Sequence, residues 1–145
     1  MNNSLAVDAL IAFFEQLSPA SIDRFADYYA ADACFKDPFN EVCGLQPIRH
    51  IFAHMFTQLV EPRFVVLERV VDEHGALLVW ELRYRLEGGW AKAGTQVIRG
   101  ASHLQFNADG KVVRHRDYWD AAEELYAKLP VIGWLMRFLR RKLAA

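Results

Sequence analysis

This chain has two cysteines, no long apolar run and almost no net charge, and each shortage closes off a class of protein. No stretch reaches the ~18 apolar residues that a bilayer-spanning helix needs. Seventeen Lys and Arg against eighteen Asp and Glu give a formal charge of -1 and a pI near 6.5. Nucleic-acid binders depend on surplus cations to neutralise phosphates, so no nucleic-acid partner is expected. No basic residue precedes Arg24, so neither a secretory nor an organelle leader is expected, and the cytoplasm is the expected location. Cys34 and Cys43 have no CxxC spacing; they can face each other across a hairpin, but a reduced cytoplasmic pair is the expectation. Also missing are a Gly-rich phosphate loop, a nucleophile elbow and a His-Glu-x-x-His pattern. His50 and His54, four apart, therefore read as surface histidines, and neither a metal nor a cofactor is implied.

Aromatics, by contrast, are abundant: ten Phe, five Tyr and four Trp in 145 residues. Rings beyond what a small core needs point to a lined cavity or a subunit contact. The length suits one domain over 1–145, with a core of about 5–125 and a helical extension over about 126–145.

Apolar residues recur at helical spacing over 5–17, with Ser4 as N-cap and Ser18-Pro19 as the stop. A shorter helix is predicted from Ser21 to Tyr29 and an extended segment over 33–37. A third helix spans 45–59, with Pro47 in its first turn. From residue 62 the period changes to two. Strands are predicted at 64–71, 77–87, 95–107 and 111–119, with a Gly88-Gly89 hairpin turn and an Asp109-Gly110 turn. Helices over 120–129 and 131–143 follow. Helices ahead of a long-stranded meander give an α+β domain: a strongly curved antiparallel sheet wrapped around the N-terminal helices as a cone, with a C-terminal helical tail. The mouth of such a cone is a natural ligand pocket.

On the last strand, Val113, His115, Asp117 and Trp119 share one face, and Val112, Arg114, Arg116 and Tyr118 the other. The arginines mark the second face as wet, so His115 and Asp117 point inward, where an uncompensated charge is costly. They are either a satisfied structural pair or an acid–base pair. Asp37, before Pro38, either opens a turn or joins them; beside Asp117 it would make a pair of carboxylates sharing a proton. Phe13, Phe56, Trp80, Tyr84 and Trp119 are the candidate lining for a small, largely apolar ligand.

Four segments, YYAADACFKDPF (28–39), GLQPIR (44–49), LQFNADGKVV (104–113) and YWD (118–120), resemble the nuclear transport factor 2-like superfamily, in its SnoaL-like and ketosteroid isomerase-like branch. The resemblance covers about residues 5–125. It implies the cone fold, homodimers, and cofactor-free isomerase, cyclase or dehydratase chemistry, or ligand binding without turnover. In the isomerases the general base is an Asp-Pro aspartate, which Asp37-Pro38 matches. The oxyanion-binding Tyr and protonated Asp of those enzymes fall on Phe13 and Ser102, and this match adds Ser102 to the candidate lining. In SnoaL-like cyclases the acid–base aspartate lies at about Asp117. Epoxide hydrolases of this fold need an acid that Arg99-Gly-Ala-Ser102 lacks.

The tail, LPVIGWLMRFLRRKL (129–143), joins an apolar stripe to four basic residues. That pattern fits an interfacial helix on anionic lipid, or a helix docked across the cone or a dimer partner.

Overall fold

The computed structural model describes residues 3–86, 94–124 and 130–144. Helix α1 (Ser4–Glu15) leads through a 3₁₀ turn (Pro19–Arg24) into the short α2 (Phe25–Tyr28). Strand β1 (Tyr29–Lys36), the short β2 (Glu41–Cys43) and helix α3 (Leu45–Gln58) follow. Then come β3 (Val60–Asp72), β4 (Gly75–Arg85), β5 (Thr95–Phe106), β6 (Val112–Tyr118), α4 (Ala121–Glu124) and α5 (Pro130–Leu143). The Gly88-Gly89 turn and residues 125–129 of the expected helix lie outside the described residues.

The strands form one six-stranded sheet in the order β2-β1-β6-β5-β4-β3. The α+β cone is as expected, with one addition: the sheet is mixed, because β1 runs parallel to β6. Phe35 stands beside His115 in that pairing. Parallel neighbours need a long connection, so this pairing was invisible to any local pattern. The expected second helix is mostly the 3₁₀ turn, where Ser18 N–H donates to Ser21 Oγ and fixes the chain's entry.

The core lies between the sheet's inner face and α1–α3. Val7, Leu10 and Phe14 of α1, and Ile48 and Phe52 of α3, recur at three-, four- and seven-residue steps and are buried. They meet Leu78, Trp80, Leu82 and Tyr84, the inward residues of β4, whose burial alternates along its length. Bulges near Val60–Arg63 and Val66–Glu68 on β3 and at Val113 on β6 bend the sheet around these helices. At Gly75, φ is 147° and an added Cβ would lie 2.0 Å from the Leu104 carbonyl oxygen, so only glycine turns the β3–β4 hairpin there.

The Val113 bulge also corrects the expected faces of β6. Phe106 pairs with Val112 and Gln105 with Arg114, so one residue is skipped. Val112 therefore joins His115 inside, while Arg114 and Arg116 stay exposed.

Cys34 and Cys43 form a disulfide, which overturns the expected reduced pair. They are direct partners of the β1–β2 ladder with Cα atoms 4.0 Å apart. The adjacent Gly44 N–H to Ala33 carbonyl bond makes theirs the close, non-hydrogen-bonded kind of pair, which brings the thiols within bonding reach. The argument from cellular compartment carried no information about that register. Closing a ring of this size stabilises by about 2–3 kcal/mol in the chain-entropy model. The Cys34→Ser/Cys43→Ser double variant is expected to lose that amount in urea unfolding. Two free thiols titrated in the unreduced, denatured protein would contradict the bond.

Candidate functional site

β6 carries the site because its inward residues meet partners from three other strands. Ser102 of β5 stands directly across from Asp117, and Leu104 across from His115. Leu78 of β4 pairs with Ser102, and Trp80 with Gly100. On the parallel side, β1 begins with Tyr29, buried to 1% exposure.

A chain of hydrogen bonds results. Trp80 Nε1–H donates to Ser102 Oγ at 2.8 Å. Having received that bond, Ser102 sends its own proton to Asp117 Oδ1, 2.5 Å away. His115 Nε2 lies 2.6 Å from the same Oδ1, and Tyr29 Oη 2.6 Å from His115 Nδ1. Burial, and secondarily the charge of Asp117, push the Tyr29 hydroxyl well above the ordinary phenol range. Tyr29 thus keeps its proton, and the His115 ring bridges the two groups, Nδ1 facing the phenol and Nε2 facing the Asp117 carboxylate. Every donor in the chain points toward one carboxylate. Oδ2 accepts no hydrogen bond from the described residues.

Asp117 and His115 border an apolar cavity of about 30 Å³, room for on the order of one or two waters. Ile11 and Phe14 of α1, Phe52 of α3, Phe64 and Val66 of β3, and Leu78, Trp80, Ser102 and Leu104 complete its wall. Asp117 also borders a wider outer cleft of about 570 Å³, with Lys36, Asp37, Pro38, Arg116, Tyr118, Trp119 and Asp120. Asp117 is thus the residue common to both hollows.

The structure brings four of the sequence-derived candidates together at the cavity: His115, Asp117, Ser102 and Trp80. Asp37 and Trp119 lie on the outer cleft instead. Asp37 Oδ1 accepts the backbone N–H groups of Phe39 and Asn40, and both its oxygens accept from the Asn40 amide. That is the turn-forming role of an Asp before proline. Phe13 does not reach the cavity: it stacks on Tyr28 at 4.3 Å, because Ile11 and Phe14 hold the sheet-facing stripe of α1. Phe56 is likewise off the wall, where Phe52, one turn earlier, takes its place. Tyr84 is buried away from the cavity, and its hydroxyl has no hydrogen-bond partner among the described residues. Burial and then Glu124 raise its pKa. His50 and His54 are exposed and stacked on each other, and the described residues contain no metal-binding group of three or more ligands.

Sequence reasoning missed Tyr29 and Gly100. Tyr29 sits where a helix pattern gives way to a strand, and its partner lies 86 residues away. Gly100 left a readable signal, a lone glycine inside a strand, which marks a close approach. An added Cβ would lie 2.5 Å from the Trp80 ring, so the bare glycine lets the indole cross β5 and reach Ser102.

A mixed sheet coiled about three helices, here with a part-buried acid on its inner face, is the nuclear transport factor 2-like, ketosteroid isomerase-like fold. Within that class the SnoaL-like domain model matches residues 10–115, and the chain belongs to that family. A search of curated proteins finds no match. Among solved structures, a Catenulispora acidiphila protein of ketosteroid isomerase-like fold, in complex with trimethylamine, superposes with TM-score 0.71 at 16% identity, covering 89% of this chain and 95% of that one. A protein from Jannaschia sp. CCS1, provisionally classed as a SnoaL-like polyketide cyclase, gives 0.72 at 16% identity over 86% and 92%. TerC, co-crystallised with polyporic acid, gives 0.67 at 18% identity over 83% and 93%. At these identities the likeness is one of fold.

The network makes Gly100 a sensitive position. Gly100→Ala is expected to push the indole off Ser102 and to cost about 1–3 kcal/mol. Near-ultraviolet circular dichroism and urea unfolding would register the change. An unaltered aromatic spectrum would contradict the assigned packing.

Proposed function

We propose that this protein binds a small, largely apolar molecule in the cone and exchanges a proton with it at Asp117, without a cofactor. One observation carries the reading: a carboxylate on an apolar cavity, held at Oδ1 by Ser102 and His115, with no hydrogen bond to its second oxygen from the described residues and with Asp117 also bordering the outer cleft. Such an oxygen is a general base in waiting. A ligand bearing an acidic C–H or O–H enters from the cleft and gives its proton to Oδ2. Return of that proton to another atom of the ligand is an isomerisation, and its return to a departing hydroxyl is a dehydration. His115 holds Oδ1 through Nε2, and Trp80 and Ser102 orient the acid. Asp37 and Trp119 would shape the entrance. The small ligands held by the Catenulispora protein and by TerC support a cone that takes up organic molecules. With so little free volume, uptake requires the aromatic wall to part.

A second reading, binding without turnover, is favoured by the donor count. The Trp80, Ser102 and His115 protons are all directed within the network, so none of them is free for an oxyanion. On that ground an enolate held by two donors, as in steroid isomerisation, is the least favoured of the proton transfers.

Exchange of ligand protons in deuterium oxide separates the two readings. With a panel of apolar ketones and phenols, Asp117→Asn is expected to slow wild-type exchange by about 100-fold or more while ligand is retained. Binding without exchange in the wild type would establish the second reading instead.

Two exposed faces would serve partners. Helix α5 suits a lipid surface. The outer face of the sheet suits a second copy, since Val70 pairs with Leu77, and Val79, Ala101 and Tyr118 align across β4, β5 and β6. Val70, Leu77, Val79 and Tyr118 are 40–65% exposed. Light scattering is expected to give a dimer that Leu77→Lys/Val79→Glu converts to monomer; a monomeric wild type would remove this assignment.

A further inference from the structure

We propose that helix α5 docks on an anionic lipid surface, lying in the interface with Trp134, Leu135 and Phe138 against the lipid. The charge distribution argues for it first. Four of the seventeen Lys and Arg but none of the eighteen Asp and Glu fall within Pro130–Leu143, so the helix carries +4 and the rest of the chain -5. Such a segregated helix is drawn to negative surface potential, about five-fold in affinity for each basic residue near the surface.

Geometry argues second. Trp134, Leu135 and Phe138 are 60%, 45% and 37% exposed, and Trp134 and Phe138, one turn apart, stack at 5.9 Å. The flank toward the body is a different one. There Arg140 approaches Glu123 at 3.8 Å, and Leu139 and Leu143 border a hollow shared with Asp120 and Glu123. The aromatic stripe is thus left outside while Arg140, Leu139 and Leu143 lie beside Asp120 and Glu123.

Lys142 chooses between lipid and a second copy. Its ammonium lies 5.8 Å from the Phe138 ring centre, inside the apolar stripe, with Arg141 exposed beside it. In a protein–protein contact that charge would be buried at a cost of several kcal/mol. At a membrane it extends to the headgroups while its stem stays with the rings. Fourteen residues rise only about 21 Å, and no described helix is long and apolar enough to cross a membrane, so α5 lies on the surface.

The hollows give the docking a consequence. Asp120 borders both the hollow under α5 and the outer cleft, and Asp117 both the cleft and the inner cavity. A lipid-bound domain would hold this series of hollows beside a store of apolar molecules. That consequence rests on the ligand reading above; the docking does not.

Sedimentation of the full chain with vesicles tests the docking independently of any turnover. Binding to phosphatidylcholine vesicles containing phosphatidylglycerol is expected to be at least about ten-fold tighter than to phosphatidylcholine alone, and to weaken with salt. Arg141→Glu/Lys142→Glu and Trp134→Ala/Phe138→Ala should each weaken it by about ten-fold or more, with far-ultraviolet circular dichroism unchanged. No sedimentation with anionic vesicles, or equal binding to neutral ones, overturns the proposal. So does self-association in the absence of lipid that Trp134→Ala/Phe138→Ala abolishes, since the face would then belong to a second copy.

Discussion

A carboxylate inside an apolar cone must be hydrogen-bonded or it will not stay there, and the arrangement around Asp117 follows from that constraint. An unsatisfied buried charge costs several kcal/mol, comparable with the whole stability of a domain this size. Ser102 and His115 meet the requirement at Oδ1, and each needs a second partner of its own, which Trp80 and Tyr29 provide. The network spans β1, β4, β5 and β6, so the sheet's register and the acid's position depend on each other. A one-residue slip in any of these strands would turn a member outward.

The same logic separates the roles of the polar residues. Asp37 is spent on the turn it begins, which shapes the cleft's rim. The disulfide anchors the other end of that hairpin at the sheet's edge, where β2 has only three residues of its own to hold it. Trp80 is accommodated only because Gly100 has no side chain. Rim, edge and interior are thus each held by a different kind of interaction: local hydrogen bonds, a covalent bond, and packing against an absent side chain.

An aromatic cavity with one oriented acid serves both reactive and passive binding, which is consistent with a fold that carries many unrelated functions. The difference lies in spare donors. A site that stabilises a developing oxyanion keeps N–H or O–H groups free for it. Here those groups hold the acid itself, so the proposed proton exchange would suit a ligand that needs little anionic stabilisation.

Periodicity and turn chemistry by themselves determined α1, α3, the long strands and the inward direction of His115 and Asp117, because alternation and helical spacing are local properties of the chain. They also marked Trp80 as a candidate, since it falls on the apolar face of a legible strand, whereas Ser102 was marked only by the family resemblance. Only the tertiary structure decided the parallel β1–β6 pairing, the Val113 bulge, the bond between Cys34 and Cys43, and the choice of Phe14 and Phe52 over Phe13 and Phe56 as wall. Adjacent rings on one helix face are equivalent to a pattern and distinct only to a neighbour. Tyr29 is the clearest case: nothing within ten residues of it names its partner, and the closure of the sheet alone puts its hydroxyl on His115.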